Sequence, residues 1–465
     1  MQLVHAIQPA TRSPVLRVSL GAGHALFGSA ETDGWRLWDS RTLELVHQLD
    51  AQDGSMRFVL PLHRTSLVFL VGGPPSPLYS PNKVILYDLA RHVAVTELEF
   101  SEDVLGLACR RDRLVVALRR RIAVFALGEG DGGTAIWREG TFPTGDNPRG
   151  LSALATAPGS TLLAFPGRQT GHVQLVRLPP LDLRRPPHPP SASHDASQPP
   201  YPAVAVIVAH TSALAALAIN PSGTIIATAS RTGTLVRVWD GEADLRKRST
   251  GQAVPLRELR RGTDVADIFD IALRPDGGAL AVSSDKGTIH VWQIDAAAEA
   301  ARRKAEEDAE TRTSTLSMLK PFLPRYFSSE WSHSQFRLPP PAVPLAQGPS
   351  FLASTSGDAP PPTVEDDVCI CTWISAEAPS EPSTPAPSYA SRKGKGRAAP
   401  GPPRAPPVSA PMQLVAITQS GGWYRLAIGD DTVAATAKRT AGLASRSEGH
   451  CQLVEYRRWG ADDWD

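Results

Sequence analysis

Thr224-Ile225-Ile226-Ala227-Thr228-Ala229-Ser230, the turn Arg231-Thr232-Gly233-Thr234 and Leu235-Val236-Arg237-Val238-Trp239-Asp240 form the stretch that decides the fold. Both apolar runs alternate with a period of two, the pattern of strands, and the Thr-Gly step between them has the chemistry of a tight turn. The unit recurs six more times. Ala25–Gly28 leads into Trp35–Asp39, Ser66–Gly72 into Lys83–Asp88, and Asp112–Leu118 into Arg121–Phe125. Ser160–Phe165 leads into His172–Val176, Ala279–Ser284 into Ile289–Trp292, and Gln413–Thr418 into Trp423–Leu426. Seven units at roughly forty-residue spacing, once insertions are removed, match the period of four-stranded propeller blades. A single blade cannot bury both of its faces, so stacking in a closed ring is favoured over an open array. The expected fold is all-β: a seven-bladed β-propeller with WD-type repeats and long disordered insertions, one domain over residues 1–465.

The insertions interrupt the repeat at three places. Residues 179–202 are rich in Pro, Ser and His, and residues 376–411 are rich in Pro, Ser and Ala with a basic knot at Arg392–Arg397. Both read as disordered loops, which accounts for much of a total of 43 prolines. The second splits the final blade and leaves its strand register open. The third, residues 296–349, starts as a strong helix former over Ala296–Arg312 and then turns apolar and aromatic, with Leu316, Leu319, Phe322, Leu323, Trp331 and Phe336.

Lys and Arg number 48 against 47 Asp and Glu, a net charge of +1, so the chain lacks the basic excess of a nucleic-acid binder and any anion recognition must be local. Four cysteines at irregular spacing do not make a disulfide framework and suit a reducing, cytosolic setting. No run of eighteen apolar residues and no leader pattern occur, so a soluble protein with at most peripheral membrane contact is expected.

Leu259-Arg260-Arg261-Gly262 falls where the fifth unit hands over to the sixth. Successive side chains of an extended segment point to opposite sides, so the two arginines should serve two neighbouring pockets. Guanidinium is a rigid fork of donors suited to phosphate. The fifth unit offers His210, Thr228, Ser230, Arg231 and Thr234 around Arg260, and the sixth offers Ser283, Ser284, Lys286, Thr288 and His290 around Arg261. Alone, an Arg-Arg pair is usually a solvated surface feature. The near-duplicate polar sets on both sides argue instead for two phosphate sites.

These residues, with Ile268-Phe269-Asp270-Ile271 and Ser283–His290, resemble the signature of the PROPPIN family of phosphoinositide-binding β-propellers. The family's commonest motif has Phe where this chain has Leu259, a mild change that leaves the arginines untouched. Pro81–Val84, Arg111–Val116, Leu163–Leu175 and Leu323–Ser332 extend the resemblance over nearly the whole chain outside the Pro-rich insertions, closest to the shorter-tailed branch. The resemblance implies a scaffold of autophagy that binds phosphatidylinositol 3-phosphate and phosphatidylinositol 3,5-bisphosphate at phagophore, endosomal or vacuolar membranes. It also implies a membrane-inserting loop in the sixth blade, which points to Leu316, Leu319, Phe322 and Leu323, and a bridge-type lipid-transfer autophagy protein as partner. Trp331 and Phe336 are open to either lipid contact or packing on the blade, and the charged helical start, longer than the family's usual loop, leaves a protein partner open for the insert.

No Gly-x-Ser-x-Gly elbow, phosphate-cradling Gly-Lys-Ser/Thr loop or His-Glu-x-x-His occurs, and no histidines share metal-ligand spacing. The expectation is a monomeric binding protein without enzymatic activity, cofactor, metal or nucleic-acid partner. The rival is a propeller that binds only proteins, its arginines meeting an acidic peptide, and lipid dependence separates the two.

Overall fold

Each alternating hairpin leaves backbone groups unpaired on both edges and apolar side chains on both faces, so it recruits a strand on either side and a neighbouring sheet on either face. A computed structural model of the protein describes residues 15–50, 54–130, 133–179, 205–241, 255–294, 330–339, 367–375, 412–428 and 451–459. Blade one is β1 (Val15–Leu20), β2 (Leu26–Glu31), β3 (Gly34–Asp39) and β4 (Leu45–Asp50); blade two is β5 (Met56–Pro61), β6 (Leu67–Gly72), β7 (Lys83–Asp88) and β8 (Val93–Glu99). Blade three is β9 (Gly106–Arg110), β10 (Arg113–Ala117), β11 (Arg121–Gly130) and β12 (Gly133–Pro143); blade four is β13 (Ala153–Leu154), β14 (Leu162–Pro166), β15 (His172–Arg177) and β16 (Ala205–Val208). Blade five is β17 (Leu214–Ile219), β18 (Ile225–Ser230), β19 (Leu235–Asp240) and β20 (Pro255–Arg260). Blade six begins with β21 (Ile268–Leu273), β22 (Ala279–Ser284) and β23 (Thr288–Gln293); the chain then forms β24 (Glu330–Trp331), which joins blade five, before β25 (Ser334–Arg337) completes blade six. Blade seven is β26 (Cys369–Ser375), β27 (Met412–Thr418), β28 (Gly422–Ile428) and β29 (Cys451–Arg458).

Every hairpin read from the sequence is the second and third strand of a blade, and the result is a seven-bladed β-propeller. The second strands are covered on both faces, as in β18 and β22, where every residue is buried, whereas outermost β4 is half exposed. The apolar core is accordingly divided into seven clusters, each filling one interblade seam. Between blades five and six, for example, Ala227, Val236 and Leu259 meet Ile268, Leu280 and Trp292. The turn of blade five needs Gly233: its φ is +62°, and a Cβ there would lie 1.8 Å from the Ala266 carbonyl oxygen.

Buried charge ties blade three to blade four. The fully buried Arg113 pairs with Glu139 at 2.9 Å and Asp112 at 3.0 Å, and Arg110 pairs with Asp112 at 2.5 Å while donating to the Ala155 carbonyl at 3.0 Å.

Blades one and seven are each complete sheets, so among the described residues no strand is shared across the seam that closes the ring. Side chains close it. The Trp423 indole donates to the Ser40 carbonyl at 3.0 Å, the Gln419 amide to the carbonyls of Val15 and Leu16 at 2.7 and 2.8 Å, and Arg457 to the Thr42 carbonyl at 2.9 Å. Phe27, Trp38, Val415, Ile417, Trp423 and Trp459 form the apolar layer between them. The register left open in blade seven runs without a break from Cys369↔Thr418 to Ser375↔Met412, with the 376–411 insertion between β26 and β27. The helical reading of Ala296–Arg312 lies outside the described residues, as does nearly all of 179–202.

Trp423 is fully buried and carries both the apolar layer and a hydrogen bond of the closing seam. Trp423→Ala is expected to lower the unfolding free energy by about 3–5 kcal/mol, the range for deleting a buried indole. Urea denaturation checks this, and a loss below about 1 kcal/mol would place ring closure elsewhere.

Candidate functional site

Strand β20 pairs with β19 in the register Val236↔Leu259 and Leu235↔Arg260, and the Arg261 amide extends the ladder by donating to the Thr234 carbonyl at 3.0 Å. Leu259 is fully buried in the seam between blades five and six, which fixes the alternation that follows. Arg260 and Arg261 therefore turn to opposite sides. Neither is the solvated side chain that an Arg-Arg pair usually is: they are 7% and 6% exposed. A buried cation needs compensating acceptors. Arg261 finds them in the Gly233 carbonyl, 2.7 Å from Nε, and the Asp264 carbonyl, 2.5 Å from Nη2. Burial pulls its pKa below the usual guanidinium value against the opposing pull of Asp285 and Asp264.

On the blade-six side Asp285 and His290 interact electrostatically with this arginine, and Ser284 and Lys286 flank Asp285 in the chain. His290 is buried, stacks on Trp292 at 5.8 Å, and meets the Ser332 hydroxyl at 3.2 Å through Nδ1. Burial, and then the Arg261 charge, push its pKa down to about 4, so the ring is neutral near pH 7. The Ser284 hydroxyl is buried without a hydrogen-bond partner among the described residues, and Lys286 pairs with Asp285 at 3.4 Å. Thr288 shares a strand face with His290, its hydroxyl 3.5 Å from the Lys286 carbonyl. Ser283 turns away, donating to the Cys369 carbonyl of blade seven at 2.6 Å.

On the blade-five side the polar residues are tied mainly to one another. Thr228 accepts from the Trp239 indole at 3.0 Å and contacts His210 Nε2 at 3.0 Å, a relay inside the blade. Burial, and then nearby Arg237, push His210 down to about 4. Ser230 bonds Thr232 at 2.7 Å, and Thr234 adjoins the Leu235↔Arg260 pair. Arg231 is exposed and lines a cavity toward blade four. Arg237 was missed by sequence reasoning; it bridges Glu258 at 2.9 Å and the Ala209 carbonyl at 2.5 Å, holding the loop that carries His210.

Leu316, Leu319, Phe322 and Leu323 lie outside the described residues. The return of that insertion is described. Strand β24 pairs parallel to β20, Leu259↔Glu330 and Arg260↔Trp331. Glu330 receives Arg257 at 2.8 Å on its carboxylate and the Trp292 indole at 3.3 Å on its carbonyl. Trp331 is 58% exposed beside Arg260, whereas Phe336 packs on Tyr424 of blade seven at 6.1 Å. Ser332 is a neighbour of His290 that spacing could not reveal, since the two meet across a 42-residue separation. Its signal was the Ser-Ser-Glu-Trp-Ser string itself.

A sequence profile of the family described as BCAS3, WD40 repeat, matches residues 189–300. The chain is similar to SVP1-like protein 2 of Emericella nidulans, 34% identical over 275 residues, covering 58% of this chain and 74% of the relative. It is similar to SVP1-like protein 2 of Pichia angusta, 31% identical over 339 residues, covering 73% and 83%. It also matches Autophagy-related protein 18e of Arabidopsis thaliana, 28% identical over 272 residues, covering 58% and 61%. Among solved structures, Kluyveromyces lactis Hsv2 with its complete loop 6CD superposes with a TM-score of 0.56 at 19% identity, covering 96% of this chain and 99% of that one. KlAtg21, solved in complex with the coiled-coil of AgAtg16, superposes with a TM-score of 0.56 at 13% identity and the same coverage. At these identities the structural likeness speaks for the fold.

The two site histidines make stability depend on pH with a definite sign. Their folded-state pKa values of about 4 lie below the ordinary 6.5, so the unfolded chain binds more protons between those limits. Their stabilising contribution is complete above pH 6.5 and is lost as pH falls toward 4. Asp270 acts in the opposite sense, because burial pushes it up to about 6. The urea midpoint is expected to fall between pH 7 and pH 5, with a shallower slope in His210→Gln/His290→Gln. An unchanged slope in that variant would exclude both histidines as the source.

Proposed function

The chain belongs to the PROPPIN family of autophagy β-propellers, and on that premise we propose that it is a phosphoinositide effector that gathers proteins at autophagic membranes. Its ligands are phosphatidylinositol 3-phosphate and phosphatidylinositol 3,5-bisphosphate. The observation that carries this reading is the burial of two consecutive guanidiniums at the end of one strand, in the seam between two blades whose turns carry hydroxyls. A headgroup phosphate at Arg261 would meet a permanent cation, the neutral His290 imidazole, the Ser284 hydroxyl and Lys286. At Arg260 the corresponding groups are Ser230, Thr232 and Thr234, with His210 and Thr228 fixing the loop and strand beneath them.

Neither pocket needs to be strong. Two weak headgroup sites on one rigid body, with apolar side chains of the 296–349 insertion entering the interface, add through effective concentration. Leu316, Leu319, Phe322 and Leu323 are the proposed inserting residues, and Trp331, held in register with Arg260, marks where the insertion returns to the ring. Membrane sites of action are phagophore, endosomal or vacuolar. A protein partner fits the same reading: KlAtg21 is a propeller of this fold solved with a coiled-coil, and a bridge-type lipid-transfer protein of autophagy is a second candidate. The competing reading, a scaffold that binds proteins without lipid, is decided by lipid dependence.

Flotation with liposomes containing or lacking the two lipids tests this directly. The wild-type chain should float only with them, and Arg260→Thr/Arg261→Thr should lose at least about tenfold in affinity for each site removed. A folded wild type that ignores both lipids rejects the reading in favour of the protein-only scaffold. Trp331→Ala should weaken vesicle binding about fivefold through lost interfacial apolar area, while leaving affinity for the soluble headgroup unchanged. Equal loss in both assays would make Trp331 part of the pocket rather than of the membrane contact.

A further inference from the structure

A cavity of about 420 Å³ opens between blades four and five, walled by the start of β17 with the link before it and by three further loops. One is the link from β12 to β13, containing Asp146, Asn147 and Arg149; the second is the turn between β14 and β15, containing Arg168; the third is the turn between β18 and β19, which begins with Arg231. The walls are held close by Gly171, whose φ is +76° and where a Cβ would stand 1.9 Å from the His210 carbonyl oxygen.

The charges lining this cavity do not cancel. Arg149 is committed elsewhere: its Nη2 meets both carboxylate oxygens of Asp267 at 2.5 and 2.6 Å, and its Nη1 reaches the Ile268 carbonyl at 3.1 Å. The one carboxylate on the wall, Asp146, is neutralised by Arg119 at 2.9 Å. Asn147 spends its amide on the Leu151 backbone at 2.9 and 3.1 Å. Arg168 and Arg231 remain, both exposed and neither with a side-chain hydrogen bond or ion pair among the described residues. Two uncompensated cations facing one cavity repel each other and stabilise an anion placed between them.

We propose that this cavity is a third anion site, one that takes a phosphate group between the guanidinium forks of Arg168 and Arg231. A guanidinium on each side of a bounded cavity suits a compact tetrahedral dianion better than an extended acidic peptide. The location supports the assignment. The β14–β15, β18–β19 and β22–β23 turns and the end of β20 all lie at the same end of the ring, because they are equivalent connections in successive blades. Arg168, Arg231, Arg260, Arg261 and Lys286 thus form an arc across blades four, five and six. The site does not require the lipid reading: the phosphate can belong to a membrane headgroup or to a free phosphate compound.

The experiment uses the full chain with Arg260→Thr/Arg261→Thr, which silences the two proposed lipid pockets. Calorimetric titration with inorganic phosphate and with soluble inositol 1,3-bisphosphate should still show saturable binding. Adding Arg168→Gln, a residue of blade four outside both lipid pockets, should weaken it about tenfold, and adding Arg231→Gln should abolish it. The thermal midpoint should not move, since both side chains are exposed. Binding of the soluble ligands assigns a free phosphate compound. Arginine-dependent recovery on phosphatidylinositol 3-phosphate vesicles, without soluble binding, assigns a headgroup presented by a membrane. The proposal is overturned if the silenced chain binds phosphate in none of these forms, if Arg168→Gln leaves affinity unchanged, or if an acidic peptide alone binds in an Arg231-dependent way. Failure of lipid flotation together with retained phosphate titration would reject the membrane function and leave this site standing.

Discussion

The ring has to close without a strand that belongs to both ends of the chain. Each blade buries its second strand only because another blade lies on each side, so an open ring would expose the apolar faces of blades one and seven together. One indole, an amide and a guanidinium do what a shared β-ladder would otherwise do, by donating to backbone carbonyls across the seam. Directional bonds to carbonyls fix the angular position of the last blade, and the Phe27–Trp38–Trp459 aromatic layer supplies the area.

The arginine pair depends on that closure through the seam between blades five and six. Leu259 anchors the strand in an interblade core, and the two following residues inherit their directions from it. Without a firmly stacked blade six, Arg261 would lose the electrostatic surroundings supplied by Asp285 and His290. Neutral imidazoles beside permanent guanidiniums are a sensible arrangement for an anion site. The cation provides the charge, while the histidine adds a hydrogen-bonding atom without a second charge that burial would oppose.

The parts of the fold that sequence reveals are those with a strict local rule. The central hairpins alternate, turn on Gly or Asp, and end in aromatic residues, so all seven are visible as strings such as Leu235–Asp240. First and outermost strands obey weaker rules: β13 is two residues long, and β24 is a parallel addition from a distant insertion. No periodicity marks either. The site divides in the same way. Consecutive arginines are legible because alternation alone separates them, but the use of each hydroxyl is settled by partners far along the chain. Ser283 is claimed by Cys369, Thr228 by Trp239, and His290 by Ser332. Arg231, next to Ser230 in sequence, faces another blade because the turn reverses the chain at that point.

The attachment of β24 to β20 also has a mechanical meaning. The stretch that re-enters the ring is hydrogen-bonded alongside the strand ending in Arg260, and Glu330 is fastened there by Arg257 and Trp292. A pull on the insertion is therefore delivered first to the blade-five edge that carries the arginines, in line with that strand, where several bonds share the load instead of parting one by one. Tension on the insertion and the buried arginine pair would meet on the same few residues, making the blade-five edge a gauge of how firmly the loop is held.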